Sequence, residues 1–462
     1  MPSFAENSMA RTGSPFVYFT RLELENVRSF GEGQTLDLTD ESGRPARWTL
    51  ILGDNGVGKT TLLQCLALMR PILTLGENPK TNAPKPDQVE ASLFIQENAE
   101  IAALARTGQA KVKLEATLAS GRRLSQTDGR ARSLVLQAGI TMKGDALDKI
   151  DPHRERRPGF VEPLVIGYGA ARHSRYRSSE VPDGAAEATA SLFDPSLELA
   201  DAKTILQDLD YAAYKQQPHA KELLEAVKAA LAKLLPDVSS AAAIKLYGPS
   251  TPGTKKQKTG VQVVTPYGEV PLAALSLGYQ TMTAWAVDLA WRLYQHYPDA
   301  DDPLQQPAVV LIDELDLHLH PRWQRQLRSH ISETFPEVQF IATAHSPLLA
   351  QSYLDTNLAV VRRDGGQAVI ENDPAVVRTW RLDEVVTSAL YEVESPYSLE
   401  VEKELEQRTQ LLQKKRLTTE DKADLARLEE LADSLSTQAA SEDKEAMDVI
   451  RRAAKLLRPT SA

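Results

Sequence analysis

Residues 48–61 read WTLILGDNGVGKTT, and the fold is decided there. The apolar run from Trp48 to Leu52 ends at Gly53, and a helix-like stretch follows from Lys59 to Met69, giving strand, glycine-rich loop and helix in order. Between them Gly53, Asp54, Asn55, Gly56, Val57, Gly58, Lys59 and Thr60 match G-x-x-x-x-G-K-[ST]. Glycines let backbone N–H groups turn inward around phosphates, and the start of the helix favours their negative charge. In that frame Lys59 reaches the β- and γ-phosphates, Thr60 holds Mg²⁺, and Thr61 completes the nucleotide-binding stretch. ATP with Mg²⁺ is the expected ligand.

Three further stretches fit around that loop. Val309 to Ile312 is an apolar strand that delivers Asp313 and Glu314 to a sheet rim. There Asp313 would join the Mg²⁺ shell and Glu314 would orient or deprotonate an attacking water. Taken alone the pair is a solvated acidic turn; the phosphate loop changes its meaning. Ser276 and Gly278, within Leu275–Gln280, precede a helix predicted to run to Tyr297, which makes a second anion-facing helix start. Its bland alternative is a serine N-cap with a glycine nearby. His345 follows the strand from Gln339 to Thr343, placed to hydrogen-bond a γ-phosphate.

Outward from these stretches, alternation predicts strands over Phe16–Ser29 and Thr35–Leu38. Shorter strands are expected at Lys111–Ala116, Ser133–Ile140 and Leu164–Gly167, helices at Asp201–Tyr214 and His219–Leu235, and a hairpin loop at Pro249–Gly260. From Leu272 to Arg363 helix and strand alternate, which suggests a sheet covered by helices. The tail from Tyr397 is charged and helical, with breaks near Thr418, where Thr418–Asp421 resembles a capping box, and near Ser441. The expected division is a leader over 1–16, a first part of a head over 17–86, an inserted lobe with further head strands and helices over 87–270, the rest of the head over 271–378, and a helical region over 379–462.

Composition narrows the class. The 462 residues carry a net charge of −10, 42% hydrophobic and 25% charged residues, and one cysteine, Cys65. Disordered, collagenous and disulfide-stapled chains are excluded. No apolar run approaches the roughly 18 residues that span a bilayer, and the first 16 residues lack a signal-peptide pattern, so the expected location is cytoplasmic with no membrane partner.

The ordered motifs resemble the ATP-binding-cassette type of P-loop ATPase, in the branch containing SMC, RecF and OLD-type proteins. The resemblance implies an α/β head with a mixed sheet flanked by helices, an inserted α+β lobe and a charged helical C-terminal region. By it, Gly53–Thr60 is Walker A, Leu275–Gln280 the signature, Asp313 and Glu314 Walker B with the catalytic glutamate, and His345 the switch histidine, with Lys59 beside them in catalysis. Leu24–Phe30 is similar to the branch's N-F-R-S-F strand. This chain departs at Leu277, where the family has glycine, at Tyr279, inserted before Gln280, and at His320, where SMC proteins often carry aspartate. Gln88 and Gln96 both suit the Q-loop.

The interval between Lys59 and Ser276 is too short and irregular for coiled-coil arms, and no nuclease domain follows His345. The remaining likeness is to stand-alone ATPases of prokaryotic defence systems, Septu-type and retron-associated, which act with a separately encoded nuclease. It implies a switch that dimerises head to tail around ATP, as a homodimer or a higher oligomer of such dimers, and controls an effector such as a nuclease in anti-phage defence. Two other readings remain open: a RecF-like DNA-repair ATPase, with nucleic acid as partner, and a structural assembly module with very slow hydrolysis.

Several features carry bland readings beside functional ones. His318 and His320 stand at metal-ligand spacing without a third ligand, and a loop beside the nucleotide explains them better. Arg172, Arg175 and Arg177 with Tyr176, and Lys255, Lys256 and Lys258, are basic runs that suit either solvent or nucleic acid. Cys65 among Leu62, Leu63 and Leu66 is expected as a buried small hydrophobe. Leu405, Leu412, Leu425, Leu428 and Leu431 form either a helical hairpin or a docking face.

Overall fold

The computed structural model describes residues 15–77, 84–95, 98–122, 132–170, 187–197, 199, 201–217, 219–235, 238–248, 258–352, 357–372, 397–414 and 417–435. They fall into two units, up to residue 385 and from 386 onward.

In chain order the first unit begins with β1 (Pro15–Glu25), β2 (Gln34–Asp37), β3 (Trp48–Gly53), α1 (Lys59–Leu68), β4 (Pro71–Glu77), β5 (Pro84–Ala91) and α2 (Asn98–Ala102). Then come β6 (Lys111–Arg122), β7 (Arg132–Lys143), β8 (Ala146–Pro152), β9 (Glu155–Arg156), β10 (Val165–Tyr168), α3 (Ala202–Tyr214), α4 (Ala220–Leu234), β11 (Ile244–Tyr247), β12 (Gly260–Thr265) and β13 (Gly268–Pro271). The unit continues through α5 (Leu277–His296), β14 (Ala308–Ile312), α6 (Pro321–Thr334), β15 (Val338–Ala344), α7 (Pro347–Ser352), β16 (Asn357–Asp364) and β17 (Gln367–Asn372).

The central sheet has the order β10-β14-β15-β3-β16-β17, parallel except for the terminal β16–β17 hairpin. Strands β3, β14 and β15 are buried at every position. A parallel strand covered on both faces needs a continuous apolar run, which is how these three segments read. A second sheet, β2-β1-β6-β7-β8, is antiparallel. Helix α1 lies between the two: Leu62, Leu63 and Leu66 share one core with Phe19, Leu22 and Leu24 of β1 and with Ile51, Leu311 and Ile341 of the central sheet. The layers are also tied by a buried amide, because Gln339 of β15 accepts from the Phe19 N–H and donates to the Phe19 carbonyl, both at 2.8 Å. Of the long strands β6 and β7, expected as short pieces, β6 is zipped onto β1 through pairs such as Leu22 with Ala116, and β7 onto β6. β1 itself stops at Glu25, four residues before the expected end, where Asn26 and Arg28 turn to φ 56° and 46°.

The inserted α+β lobe consists of α3 and α4 with the antiparallel sheet β11-β12-β13, and it packs on α5. Its helices bury one stripe each, Ile205, Leu206 and Leu209 on α3 and Leu223, Val227 and Leu231 on α4. Tyr247 pairs with Gly260, and residues 249–257 of the hairpin loop expected at 249–260 lie outside the described residues. A fourth, small sheet, β4-β5-β9, holds Gln88 opposite Thr74 and Arg156, while Gln96 lies outside the described residues.

The second unit is a pair of helices, α8 (Leu399–Gln413) and α9 (Thr419–Leu435). Ser398 caps α8 through the Val401 N–H. The expected box opens α9: the Asp421 N–H donates to Thr418 Oγ1 at 3.1 Å and the Thr418 N–H to the Asp421 carboxylate at 2.9 Å. Arg427 bonds Glu404 across the hairpin at 2.8 Å and Leu428 is buried. The expected break at Ser441 lies outside the described residues.

Candidate nucleotide site

Parallel pairing fixes where the chemistry can sit. Ala344 lies opposite Leu52, Ile312 opposite Ala342, and Val361 opposite Gly53, so the ends of β3, β14, β15 and β16 share one rim. Ligands of such sheets bind beyond the carboxyl ends of the strands.

The 53–60 loop needs its glycines. Gly53, Gly56 and Gly58 have φ of 146°, 76° and 110°, values that side-chain-bearing residues rarely adopt. A Cβ at Gly53 would fall 2.1 Å from the Val361 carbonyl oxygen and one at Gly58 2.4 Å from Ser29 Oγ. Gly58 begins α1 with no side-chain cap and no acidic residue in the first turn, which leaves the helix N–H groups to an anion. Lys59 is buried, and its ammonium donates to the carbonyls of Gly53 and Asp54, both at 2.7 Å. Burial lowers its pKa to about 8 against the pull of Asp313, Glu314, Asp54 and Asp316. Asp54 is half-buried, Asn55 is exposed, and Val57 is buried with its carbonyl held by Ser29 Oγ at 3.0 Å. Thr61 is buried and accepts from Arg28 at 3.5 Å.

The second carrier of charge meets this loop directly. Thr60 Oγ1 donates to Asp313 Oδ2 at 2.8 Å. These are hard oxygen donors of the kind Mg²⁺ takes, and with phosphate oxygens they fit that ion. The other Asp313 oxygen accepts from Thr343 Oγ1 at 2.6 Å, and the same hydroxyl accepts the Glu314 N–H at 2.8 Å. Glu314 stands at φ 50°, a left-handed turn that throws its side chain off the line of β14. His345 follows β15, half-buried, and its N–H donates to both oxygens of Asp316 at 3.1 and 3.3 Å. Ser346 donates to Gln324, which donates to the Leu319 carbonyl. The loop after Glu314 is therefore tied to the end of β15 and the residues that follow it at several points. Thr343, Asp316 and Gln324 were not picked out from the sequence; only the fold brings them to Asp313, His345 and Ser346.

The Ser276 edge is different. Ser276 is exposed and begins α5 without a side-chain cap, and Leu277 beside it is 46% exposed. Gly278 is buried: a Cβ there would lie 2.4 Å from the His318 carbonyl oxygen. The Gln280 amide donates to the Ala273 and Leu275 carbonyls at 3.1 and 2.7 Å, closing the turn before the helix, and Tyr279 packs edge-on to Trp323.

Beside the loop, a cleft of about 320 Å³ is lined by Ser29, Gly56, Val57, Arg363, Gly365 and Gln367. His320 caps α6, its Nδ1 accepting the Arg322 N–H, and no cluster of three or more metal-ligating His, Cys, Asp or Glu side chains occurs among the described residues. Cys65 is fully buried, which pushes its thiol up to about 12. Lys258 pairs with Glu269 at 2.6 Å, while Lys255, Lys256, Arg172, Arg175, Tyr176 and Arg177 lie outside the described residues. No helix among the described residues is long and apolar enough to cross a membrane.

Against known proteins, the family described as "AAA domain, putative AbiEii toxin, Type IV TA system" matches residues 49–350. "Septu protein PtuA" of Bacillus mycoides (strain KBAB4) is 24% identical over 77% of this chain and 42% of that protein. "Retron Ec83 probable ATPase" of Escherichia coli is 30% identical over 32% of this chain and 28% of that protein. The chain spans less than half the length of the curated relatives it matches. Among solved structures, "SMC head domain from Thermotoga maritima" has 14% identity and a TM-score of 0.40, over 77% of this chain and 98% of that one.

Proposed function

The chain belongs to this family of AAA-domain P-loop ATPases, and on that premise we propose that it is an ATP-hydrolysing switch that dimerises around Mg-ATP and controls a separate effector in prokaryotic anti-phage defence. The observation that carries the proposal is the contact of Thr60 with Asp313, which joins the phosphate loop to the acidic strand end across 253 residues of chain. Lys59 and the open N–H groups of α1 bind the phosphates, and the cleft beside Gly56 takes the nucleoside. Mg²⁺, held by Thr60 and Asp313, neutralises phosphate charge when bound. Glu314 orients water for in-line attack and accepts its proton, and His345 reads the γ-phosphate. Ser276 and the N–H of Gly278 close the site from a second copy, head to tail. In the division proposed, the head segment 17–86 supplies β3 to the rim and the segment 271–378 supplies β14, β15 and β16, with 87–270 between them.

The defence role rests on likeness to a Septu protein and to retron ATPases, and the effector, such as a nuclease, is supplied by another chain. The exposed Leu277 at the open edge favours slow turnover as a second reading, in which bound ATP chiefly holds an assembly together.

Binding of a fluorescent ATP analogue and phosphate release, measured on wild type and Lys59→Ala, test the reading. Wild type is expected to bind in a Mg²⁺-dependent way and Lys59→Ala to lose binding at least about a hundredfold, since a charge-assisted contact to phosphate disappears. Equal binding by the two proteins would overturn it.

A further inference from the structure

The parallel ladder joining β14 to β15 ends with Ile312 opposite Ala342, one step before β14 reaches Asp313 and β15 reaches Thr343. Beyond that point Thr343 takes over. Its hydroxyl donates to Asp313 Oδ1 and accepts the N–H of Glu314, while its carbonyl accepts the N–H of Leu315 at 2.8 Å. A hydroxyl has one proton to give and lone pairs to accept with, so both uses hold together. Thr343 is fully buried, and water cannot replace these bonds.

Two consequences follow for the rim. A carboxylate is free to rotate about its last bond unless one oxygen is fixed; here Oδ1 is fixed by Thr343 and Oδ2 is presented to Thr60. The Glu314 backbone, in a left-handed conformation that its side chain disfavours, is held there by the same hydroxyl. We infer that Thr343 is a positioning residue for the nucleotide site, its hydroxyl setting the cation-facing oxygen of Asp313 and the turn that aims Glu314. The inference rests on the reading of Asp313 and Glu314 as the Mg²⁺-binding and water-orienting carboxylates, and it adds a residue that touches neither phosphate nor metal. Because Thr343 stands two residues before His345, displacement of that end of β15 moves the Asp313 carboxylate with it.

The test uses the full chain with Thr343→Val, which keeps the shape and removes the hydroxyl, and Thr343→Ser, which keeps the hydroxyl. Thr343→Ala replaces the valine variant if that protein does not fold, as judged by its melting curve. Binding of the fluorescent ATP analogue in EDTA is expected to be unchanged in all. In Thr343→Val the Mg²⁺ concentration that half-saturates metal-dependent binding rises about tenfold and kcat falls about 10- to 100-fold, with KM at saturating Mg²⁺ little altered, as for other residues that orient a metal ligand. Thr343→Ser restores both readings to within about threefold of wild type. A valine variant with the wild-type Mg²⁺ midpoint and kcat, or a serine variant as impaired as valine, overturns the inference while leaving the ATPase reading intact. Wild type that binds no nucleotide overturns the ATPase reading and the inference with it.

Discussion

Two helices read above as phosphate-facing, α1 at Lys59 and α5 at Leu277, are built in opposite ways at their N-termini. Both begin without a side-chain cap and without an acidic residue in the first turn. At α1 the side chains beside the open N–H groups are engaged by the same chain: Lys59 bonds two loop carbonyls, Thr60 bonds Asp313, and Ser29 holds Val57. At α5 the outer residues, Ser276 and Leu277, face solvent, and only Gly278 is buried, beneath the His318 carbonyl. One start is a finished half of a site; the other is a prepared surface. The composite site proposed above, shared between two copies, would draw on both.

Substitutions at the two starts should separate them. The largest effect belongs to Lys59→Ala, with nucleotide binding lost as stated above. Next comes Ser276→Arg, which places bulk and charge on the open edge. ATP-dependent association should disappear and turnover fall at least about tenfold, while nucleotide affinity of the single chain stays within about threefold. Sedimentation and analogue binding check this; unchanged association would break the contrast between the two starts. Gly278→Ala acts inside the chain, because its added methyl meets a backbone oxygen that cannot swing aside. A loss of about 1–3 kcal/mol in unfolding free energy is expected from such overpacking, measured by urea titration without nucleotide.

The smallest effect is one of pH. Burial holds Lys59 at about 8 in the folded chain, below its ordinary 10.5. Between those values the unfolded chain keeps the proton that the folded chain has lost, so this lysine's contribution to stability rises with pH across the window. Below pH 8 the cost of burying the charged form is present in full. Nucleotide-free wild type should therefore gain stability relative to Lys59→Met as pH climbs from 8 towards 10, and a flat difference in melting temperature would contradict it. Nucleotide affinity should move the other way, falling as the ammonium that meets the phosphates is lost.

Much of the finished half is legible in sequence because its signals are local. Trp48–Leu52 and Val309–Ile312 are unbroken apolar runs since strands buried on both faces require them, and the glycines of 53–58 mark backbone angles that only they tolerate cheaply. The Thr418–Asp421 box is likewise contained within one turn. What escaped reading depends on partners distant in the chain. Lys111–Arg122 runs past the expected Ala116 because β1 and β7 supply its hydrogen bonds, and Arg132–Lys143 past the expected Ile140 because β6 and β8 supply its own, which no local pattern displays. Phe16–Ser29 ends early because Asn26 and Arg28 break the extended backbone without a glycine or proline to announce it. Thr343 reads as one more β-branched residue of a strand until the fold sets Asp313 and Glu314 beside it. His318 and His320, spaced like metal ligands, have local roles instead: the first turns at φ 66° and offers its carbonyl over Gly278, and the second caps α6.

The most direct measurement is molar mass by light scattering in Mg-ATP, on wild type and Glu314→Gln, with phosphate release followed in the same samples. A switch built from two complementary halves predicts a rise in mass on adding Mg-ATP that persists in Glu314→Gln while its phosphate release falls about 100-fold or more. A mass indifferent to nucleotide in both proteins, or undiminished phosphate release by Glu314→Gln, would contradict it.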